Sequence, residues 1–270
     1  NLTGYGGFFP NGFSGVWVGV IISIFSYLSI EMIAVAAGEA KDPEKAVKHA
    51  FKATLARLFI FYILSLTLIV TLVPWNALIE PDATSPFVSV MQQLNIPYAD
   101  SILNFIVIIA ALSAMNSMLY ISTRMMFSLS RAGDAPAMFG TITKSGVPIN
   151  ALALSASGIA VATIVYIINP EMAFPVMIAL SMFGALLTWG MIFLTHLFFR
   201  RSMKQQSIQI KFKVPGFPVG TSLGLIAIIT ILLTTWFTDV FHSTLIFGVP
   251  FIIFLIAMYY LRSYQWRKKS

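Results

Sequence analysis

Residues Val16–Ala37 read VWVGVIISIFSYLSIEMIAVAA, an apolar run that carries a single charge, Glu31. A helix that crosses a bilayer needs about 20 mostly apolar residues, and this run supplies them. Six further stretches outward from it do the same: Leu58–Val73, Ser101–Met126, Ala151–Ile168, Phe174–Phe199, Thr221–Phe237 and Thr244–Leu261. The second is short, but it extends backward through the amphipathic Ala46–Arg57. No stretch alternates apolar and polar residues as a barrel strand does, and a bilayer otherwise admits only helices, which satisfy their own backbone. Composition agrees. Of 270 residues 58% are hydrophobic and 10% are charged, with a mean hydropathy of +0.85, against about 25% charged in soluble domains. The expected fold class is an all-α membrane protein with seven transmembrane helices.

The charges test that count. The bases fall in four groups: Lys41, Lys45, Lys48, Lys52 and Arg57; Arg124, Arg131 and Lys144; Arg200, Arg201, Lys204, Lys211 and Lys213; and Arg262, Arg267, Lys268 and Lys269. Together these are all 17 Lys and Arg of the chain. They lie on alternate loops. The intervening loops hold Glu80, Asp82 and Asp100, then Glu171, then Asp239. By the positive-inside rule the N-terminus is outside and the C-terminus cytoplasmic, with residues 262–270 as a cytoplasmic basic tail. The formal net charge of +7 is therefore topogenic, and nucleic acid is excluded as the partner it implies. The chain starts at Asn1 rather than Met, with no leader pattern, so an excised or processed chain is expected. Trp17, Trp75, Trp236, Tyr259, Tyr260 and Trp266 sit near span ends, as interfacial anchors or as ordinary packing.

Two loops carry helix-start signals. Asp42-Pro43-Glu44 combines a capping acid, a proline at the first helical position and an acid at the positive end of the dipole. The basic elbow Lys45–Lys52 follows. Ser85-Pro86 starts a short helix through Leu94 at the mouth of the protein. Ile208–Val214 alternates and reads as a short extended segment.

Chemistry has few places to reside. With no cysteine, disulfides, thiolate metal sites and thiol nucleophiles are excluded. No spacing fits a metal site, no cofactor is implied, and no paired Asp, Ser–His or His-Glu-x-x-His pattern lies at depth, so the chain is not read as an enzyme. Nine of ten carboxylates sit in loops or at span ends. Glu31 does not: in a regular helix it would lie roughly 22 Å from the outer end. An acid at depth must face protein or water, and marks a proton relay or substrate path, or else a structural hydrogen bond across helices. The preceding Phe25-Ser26-Tyr27-Leu28-Ser29-Ile30 mixes hydroxyl, aromatic and apolar residues. It is compatible with an unwound turn lining a cavity and equally with a continuous helix whose serines bond back to it. In the third span Ser113, Asn116, Ser117 and Tyr120 share a face, which reads as a pocket wall or as interhelical packing; Ser113 is a possible ion or packing position. Ser181, Gly184, Thr188 and Gly190 read as small-residue packing in the fifth span, and His196 as an interfacial residue.

These residues resemble a known family. Phe25–Glu31 followed by Ala36-Ala-Gly-Glu-Ala-Lys-Asp-Pro43 is similar to the sixth-helix signature of amino acid permeases in the amino acid–polyamine–organocation superfamily. Further matches follow in order: Phe61-Tyr62, Pro74-Trp75, Ser85-Pro86-Phe87-Val88, Ala111-Leu-Ser-Ala-Met-Asn-Ser117, Tyr120, Arg124-Met125-Met126, Gly133-Asp-Ala-Pro136, Gly146-Val-Pro148 and Phe199-Arg200-Arg201. The resemblance implies that residues 1–270 form a single transmembrane domain, the C-terminal portion (helices six to twelve) of a permease whose N-terminal helices are missing. Residues 16–199 would be the second inverted repeat, a five-helix repeat of a leucine-transporter-type fold, and residues 221–261 two accessory helices.

It further implies secondary active transport, a proton-coupled symport of an amino acid across the plasma membrane, in bacteria the inner membrane. The partners implied are the amino acid substrate, a proton and the lipid bilayer. Carbonyls at Phe25, Ser26 and Leu28 would hold the substrate amino group, within a binding stretch that includes Tyr27 and Ser29. Phe25 would also be an aromatic gate. Asn116, Ser117 and Met118 would sit near the side-chain end of the pocket, and Glu31 would couple the proton. Many relatives have Gly two residues before the Glu, where this chain has Ser29. The alternative is a seven-helix receptor-like membrane protein. The absence of Cys and of an acid–Arg pair ending the third span argues against it.

Overall fold

The structure is a computed structural model that describes every residue except 1–3, 5, 8, 38–39, 79–84, 209–213, 215, 239–240 and 268–270. Outside it fall most of the Ile208–Val214 segment, Gly38-Glu39 of the signature, Lys211, Lys213, Glu80, Asp82, Asp239 and the end of the basic tail. Among the described residues ten α-helices follow in order: α1 (Gly12–Phe25), α2 (Met32–Ala37), α3 (Pro43–Leu58), α4 (Ser65–Leu72), α5 (Pro86–Gln93), α6 (Ala99–Arg131), α7 (Ile149–Ile168), α8 (Pro170–Gln205), α9 (Val219–Thr234) and α10 (Ser243–Arg267).

Among the described residues six helical stretches are long and apolar enough to cross a membrane: Pro43–Leu72, Ala99–Arg131, Ile149–Ile168, Pro170–Gln205, Val219–Phe237 and Ser243–Tyr260. They match six of the seven expected spans. The remaining one, Val16–Ala37, is two short helices around a turn at residues 26–31. The chain is thus an all-α membrane protein with six continuous spanning helices and one interrupted segment.

Local chemistry explains the boundaries. Asp42 accepts the Lys45 amide at 3.2 Å, Pro43 takes the first helical position and Glu44 the first turn of α3. Hydrogen bonds from the Lys45 side chain and amide hold the Asp42 carboxyl below its usual range, since they favour the charged form. Asn169 caps α8 in the same way, accepting the Met172 amide at 3.1 Å ahead of Pro170. Between α3 and α4 the helix widens into one π stretch, Phe59–Leu64. There Ser65 donates to the Phe61 carbonyl and Thr67 to that of Ile63 at 2.7 Å, so hydroxyls meet carbonyls that the wider turn loosens. The short helix expected from Ser85-Pro86 is α5.

Two compact units emerge: residues 1–17 with 30–160, and residues 18–29 with 161–270. In the first, α6 packs against α5 and α2, and the short 3-10 helix Ala137–Gly140 folds back on α6. The Ser130 hydroxyl donates to the Pro136 carbonyl at 2.7 Å and Asn150 Nδ2 to that of Met138 at 2.9 Å, which fixes the α6–α7 turn.

In the second unit α8 packs against both α9 and α10 over Ala179, Met182, Phe183, Leu186 and Ile231. Close approach is made by glycines on the facing helices. A Cβ at Gly224 would fall 2.6 Å from the Phe193 ring, and one at Gly248 would overlap the Phe183 ring. The small residues expected to serve this purpose on α8 do less: Gly184 has nothing within 4 Å, and Gly190 meets only Ile228, at 3.8 Å. Small residues are used opposite the bulky ring, so their partners set their value.

Gly248→Ala is expected to destabilise the protein by about 1–3 kcal/mol, the range for overpacking, whereas Gly184→Ala should not. Thermal melting of the detergent-purified variants measures both.

Candidate functional site

The interruption of the first apolar run is the feature from which a site can be built. α1 ends in a tightened turn. Ser26 N–H donates to the Ser23 carbonyl at 2.9 Å, Tyr27 to Ile24 at 3.0 Å and Leu28 to Phe25 at 3.3 Å. Each bond reaches back three residues instead of four. Ser29 then adopts a φ of 75°, a left-handed conformation that L-residues other than Gly, Asn and Asp rarely take. This reverses the carbonyl direction and ends the ladder. The backbone resumes with Ile33 bonding to Ile30 at 3.3 Å and Ala34 to Glu31 at 3.0 Å, which starts α2. Glu31 is therefore the last residue of the turn rather than a residue inside a helix, and it is half-buried. Of the two readings open at the sequence level, the turn is the one realised.

The turn exposes peptide groups. The Phe25 carbonyl accepts one long bond from Leu28 and keeps a second lone pair. The Leu28 carbonyl accepts none from a described residue. These carbonyls close α1, where the helix dipole places partial negative charge. The end of α1 thus favours a cation.

Phe25 has a partner that the sequence did not reveal. Its ring lies 6.3 Å from that of Phe241, centroid to centroid, in the turn between α9 and α10. Phe241 is 2% exposed, and Thr235, Thr238 and Thr244 around it are also buried. Ile21, one helical turn before Phe25, is 1% exposed. This face of α1 is packed within the second unit.

The other expected site residues lie in the first unit. Ser113, Asn116, Ser117 and Met118 are all exposed on α6. Ser117 Oγ donates to the Ser113 carbonyl at 2.9 Å. Further along, Tyr120 and Arg124 line a half-open groove of about 410 Å³ with Val35 of α2 and Ile121, Met125 and Ser128 of α6. Arg124 Nε donates to Tyr120 Oη at 3.4 Å, and the guanidinium sits 5.6 Å from the Tyr120 ring centre. The sequence reading used Arg124 as a topological marker and within the Arg124-Met125-Met126 match; its spacing of four from Tyr120 was the available signal for the groove. His196, expected at the interface, has Nδ1 3.1 Å from Thr221 Oγ1. Among the described residues no group of three or more His, Cys, Asp or Glu could hold a metal.

The described spans are apolar helices, and the first apolar run is interrupted beside an acid. The sequence matches the family described as "Amino acid permease" over residues 1–270, and the chain belongs to that family. It is 36% identical over 268 residues to the uncharacterized amino acid permease YtnA of Bacillus subtilis (strain 168), covering 98% of this chain and 57% of the relative. It is 35% identical over 274 residues to the gamma-aminobutyric acid permease of the same organism, covering 100% of this chain and 58% of that protein. The aromatic amino acid transport protein AroP of Escherichia coli (strain K12) is 35% identical over 238 residues, covering 87% and 52%. The chain thus spans little more than half the length of these relatives. They are permeases and transport proteins, not enzymes. No solved structure matches.

Ser29 gives the site a direct test. Ser29→Gly should stabilise the protein by about 1 kcal/mol by removing the left-handed penalty, and Ser29→Val should destabilise it. Melting temperatures of the two variants, moving in opposite directions, check the turn.

Proposed function

We propose that the protein containing this chain is a secondary transporter of an amino acid, working as a proton-coupled symporter in the plasma membrane. In this reading residues 16–199 form the second inverted repeat, residues 221–261 the accessory helices and 262–270 a cytoplasmic tail. The N-terminal side lies outside, and further N-terminal helices of the same permease complete the site. The single observation that carries the reading is the turn at residues 26–31, with Ser29 left-handed two residues before Glu31.

The chemistry follows from the turn. A free amino acid is a zwitterion, and full side-chain charges are costly at depth. The carbonyls of Phe25, Ser26 and Leu28 offer partial negative charge to its ammonium group, reinforced by the α1 dipole. The Phe25 ring, backed by Phe241, closes over that position as a gate. Tyr27 and Ser29 belong to the same turn, and Asn116, Ser117 and Met118 contribute the wall toward the substrate side chain, with Ser113 one turn away. Glu31 carries a proton, and its position in the turn ties its charge to the conformation of the break.

Two measurements test this. Uptake of a panel of labelled amino acids by the intact protein, at two pH values with and without sodium, should show pH-driven accumulation of a subset that does not require sodium. Glu31→Gln should abolish pH-driven accumulation while retaining exchange of internal for external substrate. Uptake by that variant that matches the parent at every pH removes Glu31 from the mechanism.

A further inference from the structure

We propose that the second unit, where α8 ends and α9 begins, binds an anionic phospholipid. Arg200 is the residue for its phosphate, and the adjoining face of α8 seats an acyl chain. The guanidinium of Arg200 lies 4.7 Å from the centre of the Phe217 ring. His196 meets the same ring edge-on at 5.3 Å and is itself held by Thr221. Phe217 is thereby held, and the guanidinium packed over its ring is held with it, which preorganises a fork suited to phosphate.

One nitrogen of the fork lacks an acceptor among the described residues. Arg200 Nη1 is buried, and no described residue takes a hydrogen bond from it. A buried charged donor left unpaired is unfavourable and calls for an anion. The unit has few acids. Residues 200–213 and 262–269 hold nine Lys and Arg and no Asp or Glu. The acids of the unit are Glu171, in the first turn of α8, and Asp239, beyond the end of α9. Arg200 as a whole is half-exposed, so an anion from outside the unit can approach it, and clustered bases at a span end attract anionic headgroups.

The neighbouring surface argues that this anion carries a tail. Thr188, Met191, Ile192, Thr195, His196 and Phe199 recur at three- and four-residue steps and line an open, largely apolar groove of about 440 Å³. Arg200 follows His196 by one turn on the same face. A free phosphate would use the guanidinium alone, whereas a phospholipid uses both features.

The test uses the intact protein, purified in detergent and incubated with phosphatidylglycerol or zwitterionic phosphatidylcholine of the same chains, with bound lipid counted by native mass spectrometry. Phosphatidylglycerol should be retained over phosphatidylcholine. Arg200→Gln should lower its retention about fivefold, the worth of one basic residue against an anionic headgroup, and Arg201→Gln should lower it less. Arg200→Lys and Phe217→Leu keep the charge but lose the stacked fork, so both should weaken retention, and they report if the Gln variant does not fold. Ile192→Asn should weaken retention by spoiling the chain seat. Equal effects of Arg200→Gln and Arg201→Gln would reduce the site to general basicity and overturn the proposal. Full displacement of the lipid by excess inorganic phosphate, or indifference to Ile192→Asn, would assign a free-anion site and overturn it as well.

Discussion

In hydrocarbon a peptide group must find its partner within the protein, and this constraint organises the structure. It makes every spanning stretch a helix and makes any departure from helix costly. Among the described residues the chain breaks off inside the apolar run Val16–Ala37, at residues 26–31. It does so economically. The end of α1 tightens, so that Ser26, Tyr27 and Leu28 donate three residues back, and α2 begins with the same spacing from Ile30 and Glu31. Only a few carbonyls lose their usual donors, and these sit at the negative end of the α1 dipole. An interruption of this kind is a place to bind something charged, because a ligand can supply the hydrogen bonds that the backbone gives up.

What the sequence disclosed, and what it did not, follows the range of the interactions. Span positions come from composition over about 20 residues, and six of them appear as continuous helices. Caps depend on two or three neighbours, so Asp42 and Pro86 could be recognised directly. The break was undecided from Phe25–Ile30 alone, since serines suit both a turn and a helix that they bond back to. The ordered resemblance favoured it, and the left-handed Ser29 realises it. Phe241 and the pair Gly224 and Gly248 were not legible at all. Each matters through a ring more than 20 residues away in sequence, and nothing local distinguishes them from an ordinary turn aromatic or an ordinary helix glycine. The groove position of Arg124 was not legible either, because a base near a span end serves topology whether or not it also lines a groove.

The solvent changes how the exposed residues are read. Phe105, Val107 and Ile109 of α6 lie open, as do many apolar residues on other spans. In water such a surface would collapse or aggregate. In a bilayer it costs nothing, and attraction between helices must come from close packing instead. This is why Gly248 against Phe183 carries more weight than any apolar stripe: contact area with lipid and contact area with a neighbour are nearly equivalent in free energy, but a ring seated over a glycine has no equivalent in lipid.

Ser29 illustrates the balance between ease and definition at the break. Glycine at this position would enter the left-handed region without penalty, but would populate several other regions almost as readily. Serine enters it at a cost of about 1–2 kcal/mol and, once there, has fewer alternatives. The turn is then held in one shape by its surroundings, and Phe25, Leu28 and Glu31 keep a fixed relation along the backbone. Packing supplies the restraint: Ile21 is fully buried on the preceding turn, and the Phe25 ring is backed by the buried Phe241. A strained residue persists only where its neighbours over-determine it. The second unit provides that here, since the turn between α9 and α10 braces the end of α1 against unwinding further. The Phe25–Phe241 contact thereby connects the turn between α9 and α10 to the end of α1.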